Sequence, residues 1–282
     1  MSVINDMLKD IKGLKPMPKV AGQIMTIVEN PNSSIADIAD LVAYDPSLTA
    51  TLLKTCNSAY FALPRKIDSV QEAIAFLGMD QIVDLVLLKG AAGNLKKGQT
   101  GYGLYEGELW RQSVSSALIA KELAEKKGSD QKHLVFTAAL LKDIGKIILD
   151  RYVGDSFQKI INLIELEGLS FWEAEKREIG IDHAELGGIV AKMWNFSPKM
   201  IAIISNHHLS AGPEHQDFET ELVYLADMVC MMMGIGGGAD GLAYRFHTAV
   251  MTHLNISPSD IEEIIAGFGT KLQEVEALIR AV

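Results

Sequence analysis

Cysteine is scarce in this 282-residue sequence: Cys56 and Cys230 lie far apart, and neither has a CxxC partner. That excludes a disulfide framework and a cysteine-based metal knuckle, and it fits two buried thiols in a reducing cytoplasm. Runs of basic side chains are absent, and the formal net charge is −10. A protein of that balance does not hold nucleic acid or an anionic membrane by charge alone. No charged, then apolar, then small-residue pattern opens the chain, so no signal peptide is expected. The most apolar stretch, Leu222 to Ala239, is interrupted by Asp227 and by Gly234, Gly236, Gly237 and Gly238. It reads as a buried helix followed by a loop rather than a membrane span. Alternation at period two is missing throughout, as is any internal repeat, which argues against sheet and solenoid architectures. What remains is an acidic chain with 48% apolar residues, enough to bury a core.

Helical periodicity fills the space those absences leave. Val3, Ile4, Met7, Leu8 and Ile11 form one apolar stripe. After Pro16 and Pro18, Val20, Ile24, Ile27 and Val28 form a second, closed by a turn at Asn30-Pro31. Ser34 is placed to cap a helix carrying Ile35, Ile38, Leu41 and Val42. Asp45 then caps a helix with Pro46 in its first position, and Leu48, Leu52 and Cys56 share one side of it. Ser69 with Glu72 forms a capping box for Val70 to Leu77, and Asp80 opens a helix through Leu88. Glycines at 90, 93, 98, 101, 103 and 107 mark a boundary, giving expected lobes of 1–95 and 96–282. Helices resume over Glu108 to Lys127, Asp130 to Asp150 and Asp155 to Glu167. Ser170/Glu173 and Asp182/Glu185 are further capping boxes, and Ser197-Pro198 repeats the cap-then-proline device. Beyond Asp217 follow a methionine-rich helix, a Gly234–Gly241 loop and two final helices. The expected fold is all-α.

Ser34 to Asn57 has the outline of a helix-turn-helix. Its charge opposes a DNA-reading role. Residues 30–80 set Lys54, Arg65 and Lys66 against Asp37, Asp40, Asp45, Asp68, Glu72 and Asp80. A recognition helix needs phosphate and base-edge donors that Pro46 to Asn57 barely offers. The segment reads as a helical hairpin within a bundle, with no specific nucleic acid as partner.

Several separated segments carry a family likeness. They are Leu14-Lys15-Pro16-Met17-Pro18, Asp45-Pro46, Asn57-Ser58-Ala59-Tyr60, Ser69-Val70-Gln71-Glu72-Ala73-Ile74 and Leu77-Gly78. Further along come Trp110-Arg111-Gln112-Ser113, Leu140-Leu141-Lys142-Asp143-Ile144-Gly145-Lys146, His183, His207-His208 and Asp227. In order and spacing the chain resembles the HD superfamily of metal-dependent phosphohydrolases, and within it the HDOD (HD-related output) domains of bacterial signalling proteins. The resemblance implies an N-terminal helical bundle packed on an HD-like multi-helix lobe. It also implies a metal site in the enzymes, where a helical His, a His-Asp pair and a distant Asp hold an ion that activates water against a phosphate ester.

At that site the sequence departs from the pattern. Gln112 stands where the enzymes place the first His, and Lys142 where they place the His of the pair, while Asp143 and Asp227 match the two carboxylates. A neutral amide is a poor substitute for imidazole, and an ammonium has no lone pair to give. His183, His207 and His208 resemble positions that serve a further metal or the substrate in related enzymes. On a helix, Gln112 shares the apolar stripe of Ser116, Ile119 and Leu123. Lys142 lies with Val135, Ala138 and Leu149, and Asp143 with Phe136, Leu140 and Ile147. Leaving one partner of a buried ion pair alone costs about 3–5 kcal/mol. Neighbours at i and i+1 on a helix do not face each other, so Asp143 is not expected to neutralise Lys142. The expected partner is a carboxylate elsewhere, Asp227 among the candidates, so that a cation fixed to the chain replaces the lost ion. Against this stands a Lys142 that snorkels to water.

Plainer readings exist for other residues. His207-His208 can simply end a helix, and His183 can act locally beside its cap at Asp182. His133, His215, His247 and His253 stand in no ligand spacing and read as structural or solvated. Met228, Met231, Met232 and Met233 read as core filler.

Taken together, the expected protein is a non-catalytic, cytoplasmic signalling module with no cofactor. It would act in trans on another signalling protein, without a membrane. One alternative is a metal-dependent phosphohydrolase with a shifted site drawn from Asp143, Asp227, His183, His207 and His208. The other is a sensor that binds a small phosphorylated ligand without cleaving it, with Lys142, Arg111 and Lys146 supplying positive charge.

Overall fold

A computed structural model describes residues 2–14, 17, 19–28, 35–43, 45–57, 65–236, 238–243 and 246–281. Among them the secondary structure is helical, relieved only by an isolated bridge between Gln99 and Leu104, so the chain is all-α. No helix among the described residues is long and apolar enough to cross a membrane. The Asn30-Pro31 turn, the Ser34 cap, and the motif residues Lys15, Pro16, Pro18, Ser58, Ala59 and Tyr60 lie outside the described residues.

Packing divides the chain into two units: Met17–Gly93 with Gly267–Val282, and Met1–Pro16 with Asn94–Ala266. The internal break falls beside the expected 95/96 boundary, but the chain's two ends are exchanged between the units. The reason for the first exchange is visible. Helix α1 (Ser2–Gly13) buries Met7 and Ile11, packs on α9 (Lys146–Glu167), and accepts a hydrogen bond from Tyr152 Oη at Asp10.

The smaller unit holds α2 (Lys19–Val28), α3 (Ile35–Ala43), α4 (Pro46–Cys56), α5 (Val70–Leu77) and most of α6 (Met79–Leu95). Asp45 caps α4 through its side chain onto the Leu48 amide, as the Asp-Pro signal predicts. Helices α3 and α4 both pack on α5 with Ile38, Val42, Leu48 and Leu52 buried, a hairpin in a bundle. Ser69 accepts from the Glu72 amide, but Glu72 reaches Asp68 N and Arg65 instead of closing the box. Helix α6 runs through Gly90 and Gly93, where the sequence predicts an end at Leu88. Burial of Val86, Leu87, Leu88, Ala91, Ala92 and Leu95 outweighs the low helix propensity of glycine there.

The larger unit builds a core from α7 (Glu108–Lys126), α8 (Lys132–Leu141), α9, α10 (Phe171–Ile179), α11 (His183–Met193), α12 (Pro198–Asn206) and α13 (Phe218–Met232). Helices α14 (Ala249–His253) and α15 (Pro258–Ala281) follow, α15 continuing beyond the unit. Helix α13 packs on both α7 and α8, and α12 packs on α8 and α11. Ser170/Glu173, Asp182, Ser197 and Asp217 each cap a helix start in this unit. Of the methionines, Met228 is core, whereas Met232 is 57% exposed.

One break decides where the chemistry sits. The expected helix from Asp130 to Asp150 is interrupted at residues 142–145, and α9 instead continues without a stop through Asp155. Short turns from Ile144 N to Leu141 O and from Lys146 N to Asp143 O replace the helical ladder. Gly145 lets this turn approach α11: a Cβ there would lie 2.0 Å from the His183 carbonyl oxygen. Gly145→Ala is therefore expected to destabilise the protein by about 3 kcal/mol in urea denaturation followed by circular dichroism. Gly22→Ala, inside α2 with nothing within 4 Å of the added methyl, is expected to be neutral or stabilising by up to ~1 kcal/mol.

Candidate functional site

Five helices, the end of a sixth and two turns of the larger unit converge on a group of buried charges. Gln112 comes from α7, Glu175 from α10, His183 from the first position of α11 and Asp227 from α13. Lys142 and Asp143 sit in the turn that separates α8 from α9, and Lys146 opens α9. His207 ends α12 with His208 beside it, and Asp240 lies on the short 3₁₀ turn Ala239–Ala243. Every one of these residues is buried.

Lys142 does not snorkel. Its ammonium is fully buried, contacts Asp143 and lies 2.7 Å from Asp227 Oδ1. The pairing with Asp227 is the one expected from sequence. The pairing with Asp143 is not, because the two residues occupy a turn instead of successive positions on a helix, and a turn lets neighbours face each other. Lys146 supplies a second cation, 2.9 Å from Asp143 Oδ1 and 2.6 Å from Asp240 Oδ2. Burial alone would raise the Asp143 carboxyl, but the two ammonium groups outweigh it and hold it well below the ordinary carboxylate range. Asp227 is likewise lowered by Lys142 against the effect of burial. Burial works to lower Lys142 and Lys146, yet their carboxylates keep both above the usual lysine value. Gln112 Nε2 donates to Asp227 Oδ1 at 3.3 Å. Gly236, at φ +79°, passes so close that a Cβ would lie 2.4 Å from the Gln112 amide carbon, so the loop after α13 presses the amide into place.

Beside this cluster, three imidazoles bring one ring nitrogen each within 4.8 Å of the others: His183, His207 and His208. His183 Nδ1 lies 2.7 Å from Glu175 Oε2, and Tyr102 Oη donates to the other Glu175 oxygen at 2.5 Å. Burial lowers His183, but the Glu175 carboxylate more than offsets this and holds it above its ordinary value. His207 Nδ1 donates to the Ile204 carbonyl at 2.8 Å, leaving Nε2 with its lone pair and no hydrogen-bond partner among the described residues. Burial pushes His207 down to about 3 and His208 well below the usual range, so both are neutral at physiological pH. His208 Nε2 meets His183 Nε2 at 2.7 Å. The helix-end reading of His207 and the site reading therefore hold together, since its Nδ1 closes α12 while Nε2 turns to the cluster.

The two halves differ in what they can hold. At Gln112, Lys142, Asp143 and Asp227 a divalent ion does not fit, because ammonium groups already engage the carboxylates that would ligate it. The histidine trio does fit one, with His207 and His208 neutral and the Nδ1 groups of His183 and His207 anchored by Glu175 and Ile204, the outer-sphere pattern that orients metal-binding histidines. Asp227 is not part of that trio. Asp143 lies 3.6 Å from His183 Nε2 and 3.9 Å from His207 Nε2.

Lys146 enters the sequence analysis only as a source of charge, and Glu175, Tyr102 and Asp240 escape it. Lys146 at i+3 from Asp143 on a turn is the one signal that was available. Tyr102 belongs to the glycine-rich stretch read as a boundary, and Gly101 carries it onto α9, where a Cβ would lie 1.9 Å from the Asp150 carbonyl oxygen. His247, read as structural or solvated, lines a cavity of about 100 Å³ next to His183 and His208. His253 pairs with Glu221 at 2.8 Å.

Comparison with known proteins agrees with this architecture. The HDOD domain model matches residues 14–210. An uncharacterized protein of Treponema pallidum (strain Nichols) is 26% identical over 228 residues, which cover 80% of this chain and 43% of that protein. The chain thus spans less than half the length of that relative. An HDOD domain protein of unknown function from Geobacter sulfurreducens superposes with a TM-score of 0.73 at 26% identity, covering 99% of this chain and 96% of its own. A candidate phosphohydrolase from Shewanella amazonensis SB2B shares the fold, with a TM-score of 0.69 at 20% identity over 96% of this chain and 97% of its own. The matched segment holds the bundle helices, the Lys142-Asp143 turn and all three histidines, and the chain belongs to the HDOD domain family.

Proposed function

We propose that this chain is a non-catalytic signalling module that works by binding another protein. Its fold is that of a phosphohydrolase, and a lysine takes the position of the metal. One observation carries this reading: the buried Lys142 ammonium seated between Asp143 and Asp227. A hydrolytic site of this fold needs a Lewis acid that holds and activates water. An ammonium neutralises the carboxylates equally well but has no open coordination position. Charge compensation, and with it the fold, is kept while the reaction is given up. Membership of a family linked to signalling output supports a role in relaying a signal through protein contact.

A second reading rests on the clustering of His183, His207 and His208. An ion held by those nitrogens would supply a Lewis acid for phosphate-ester hydrolysis, with Glu175 fixing the His183 ring.

Elemental analysis of protein purified without chelators separates the two. The expected result is no stoichiometric Fe, Mn, Zn or Ni and no turnover of phosphomonoesters or phosphodiesters. Stoichiometric metal together with turnover that disappears in His207→Ala would establish the enzyme instead.

The lysine's role is testable by stability. Lys142→Met leaves Asp227 without its cation and is expected to cost about 3–5 kcal/mol at neutral pH in denaturant titration. Adding Asp227→Asn is expected to recover part of that loss. The sign of the pH effect follows from lowered carboxyls. Their contribution is complete above the ordinary carboxylate value, ~4, and is lost as pH falls through their lower folded values. In Lys142→Met the Asp227 carboxyl is no longer held down by its ion pair and takes up a proton sooner. The gap between wild type and variant is therefore expected to narrow as the pH is lowered.

A further inference from the structure

Helices α11 and α12 form a close pair, and glycine makes the approach possible. A Cβ at Gly188 would lie 1.9 Å from Ser205 Oγ, and one at Gly187 3.1 Å from Ile204 Cγ2. Helix α11 buries Leu186, Val190 and Ala191, and α12 buries Met200, Ile203 and Ile204. The remaining side of α11 is apolar where a solvent-facing stripe is ordinarily polar. Ile189 is 37% exposed and Met193, one turn on, 46%. Trp194 and Phe196 carry this surface past the helix end, both partly exposed, with their rings edge to face at 5.9 Å. The Phe196 amide donates to the Ala191 carbonyl after Asn195 turns the chain at φ +60°, which folds the segment back on α11. Isolated exposed apolar side chains are ordinary, whereas an adjoining group of them marks a surface that binds something.

Charge says what it binds. Between Glu185 and Glu214 the sequence has no acidic residue, its longest such run, although the chain holds 36 acidic residues against 26 basic. The lysines of that run are Lys192 and Lys199. Lys192 stands exposed on α11 beside Met193. Lys199 pairs with Glu219 at 2.9 Å, and Glu185, at the near edge, pairs with Lys176 at 2.5 Å. A partner bearing carboxylates therefore meets no unpaired like charge on this surface, whereas the acidic excess of the whole chain repels it elsewhere. An anionic membrane takes a cluster of about four to eight basic side chains, and nucleic acid a comparable number of phosphate contacts. Two lysines, one already paired, fall short of both.

We propose that this side of α11, with the turn that follows it, is the docking surface for an acidic amphipathic helix of a partner protein. The apolar face of that helix lies over Ile189, Met193, Trp194 and Phe196, and carboxylates at its margin meet Lys192. The close packing of α11 on α12 presents these side chains already in place, so little ordering accompanies binding. The proposal rests on the protein-binding reading above and deepens it by naming the surface and the chemistry of the partner.

The test is calorimetric titration of the full chain with a synthetic helical peptide that carries leucines along one face and glutamates at its margins. Its analogue with lysine in place of every glutamate is run beside it. Saturable binding of the glutamate peptide is expected with Kd near or below ~0.1 mM, and binding of the lysine analogue about tenfold weaker or less. Ile189→Ser combined with Met193→Ser is expected to weaken the glutamate peptide about tenfold or more, and Lys192→Glu about fivefold. Should the double variant fail to fold, Lys192→Glu decides. Absence of saturable binding overturns the proposal, as does equal binding of the lysine analogue or unchanged affinity in Lys192→Glu. Binding of phosphatidylglycerol vesicles in place of the peptide overturns it too. So does a dimer in sedimentation velocity that the double variant dissociates, since a second copy then covers the surface. A metal-free, inactive chain indifferent to the peptide sinks this surface alone, whereas metal with turnover sinks the non-catalytic reading, so the two failures are distinguishable.

Discussion

Two ammonium groups share the Asp143 carboxylate in the dry interior of the larger unit, and each reaches on to a second carboxylate. Removing so many charges from water is expensive, and their mutual attraction compensates only when every partner is in place. The arrangement therefore constrains whatever supplies it. The turn at residues 142–145 must form, α13 must deliver Asp227, and the loop after α13 must bring Asp240 back to Lys146. Gly145 and Gly236 stand where these elements come too close for a side chain. Packing and electrostatics are here one requirement seen from two sides.

A chain-borne cation differs from a bound ion in what it permits. Both neutralise facing carboxylates, but a lysine is delivered with the backbone and offers no vacant coordination position. On the proposed reading, charge compensation at Asp143 and Asp227 is thereby independent of metal supply. Glu175 and Tyr102 still hold His183 in a fixed orientation.

Much of this was legible in the residues. Capping signals at Asp45, Ser170, Asp182, Ser197 and Asp217 placed helix starts because side-chain capping is a local interaction. The burial of Gln112 followed from its apolar stripe, and the Asp227 partnership of Lys142 from the cost of an isolated buried charge. Two expectations failed for a common reason. The helix drawn through Lys142 and the stop drawn near Asp155 both assumed that local periodicity governs. In fact the close approach of Gly145 to the His183 carbonyl interrupts one helix, while the other runs on through Asp155 with Val153 alone buried between residues 151 and 159. Tyr102 and Asp240 gave no signal, because each acquires its role from a partner far away in sequence, and Glu175 meets His183, eight residues on, only once α10 and α11 pack together.

The sequence by itself determined that the chain is helical, acidic and built on the HDOD pattern, and that imidazoles are missing from the two positions held by Gln112 and Lys142. Those properties reside in residue type, spacing and local hydrogen bonding. Only the tertiary structure decided which charges meet: Lys142 with Asp143, Lys146 with Asp240, Glu175 with His183. It also left one oxygen of Asp240 without a donor near an aromatic-lined cavity. Ion pairing depends on distances of a few ångströms between segments separated by up to a hundred residues or so, and such distances are fixed by packing, not by order along the chain.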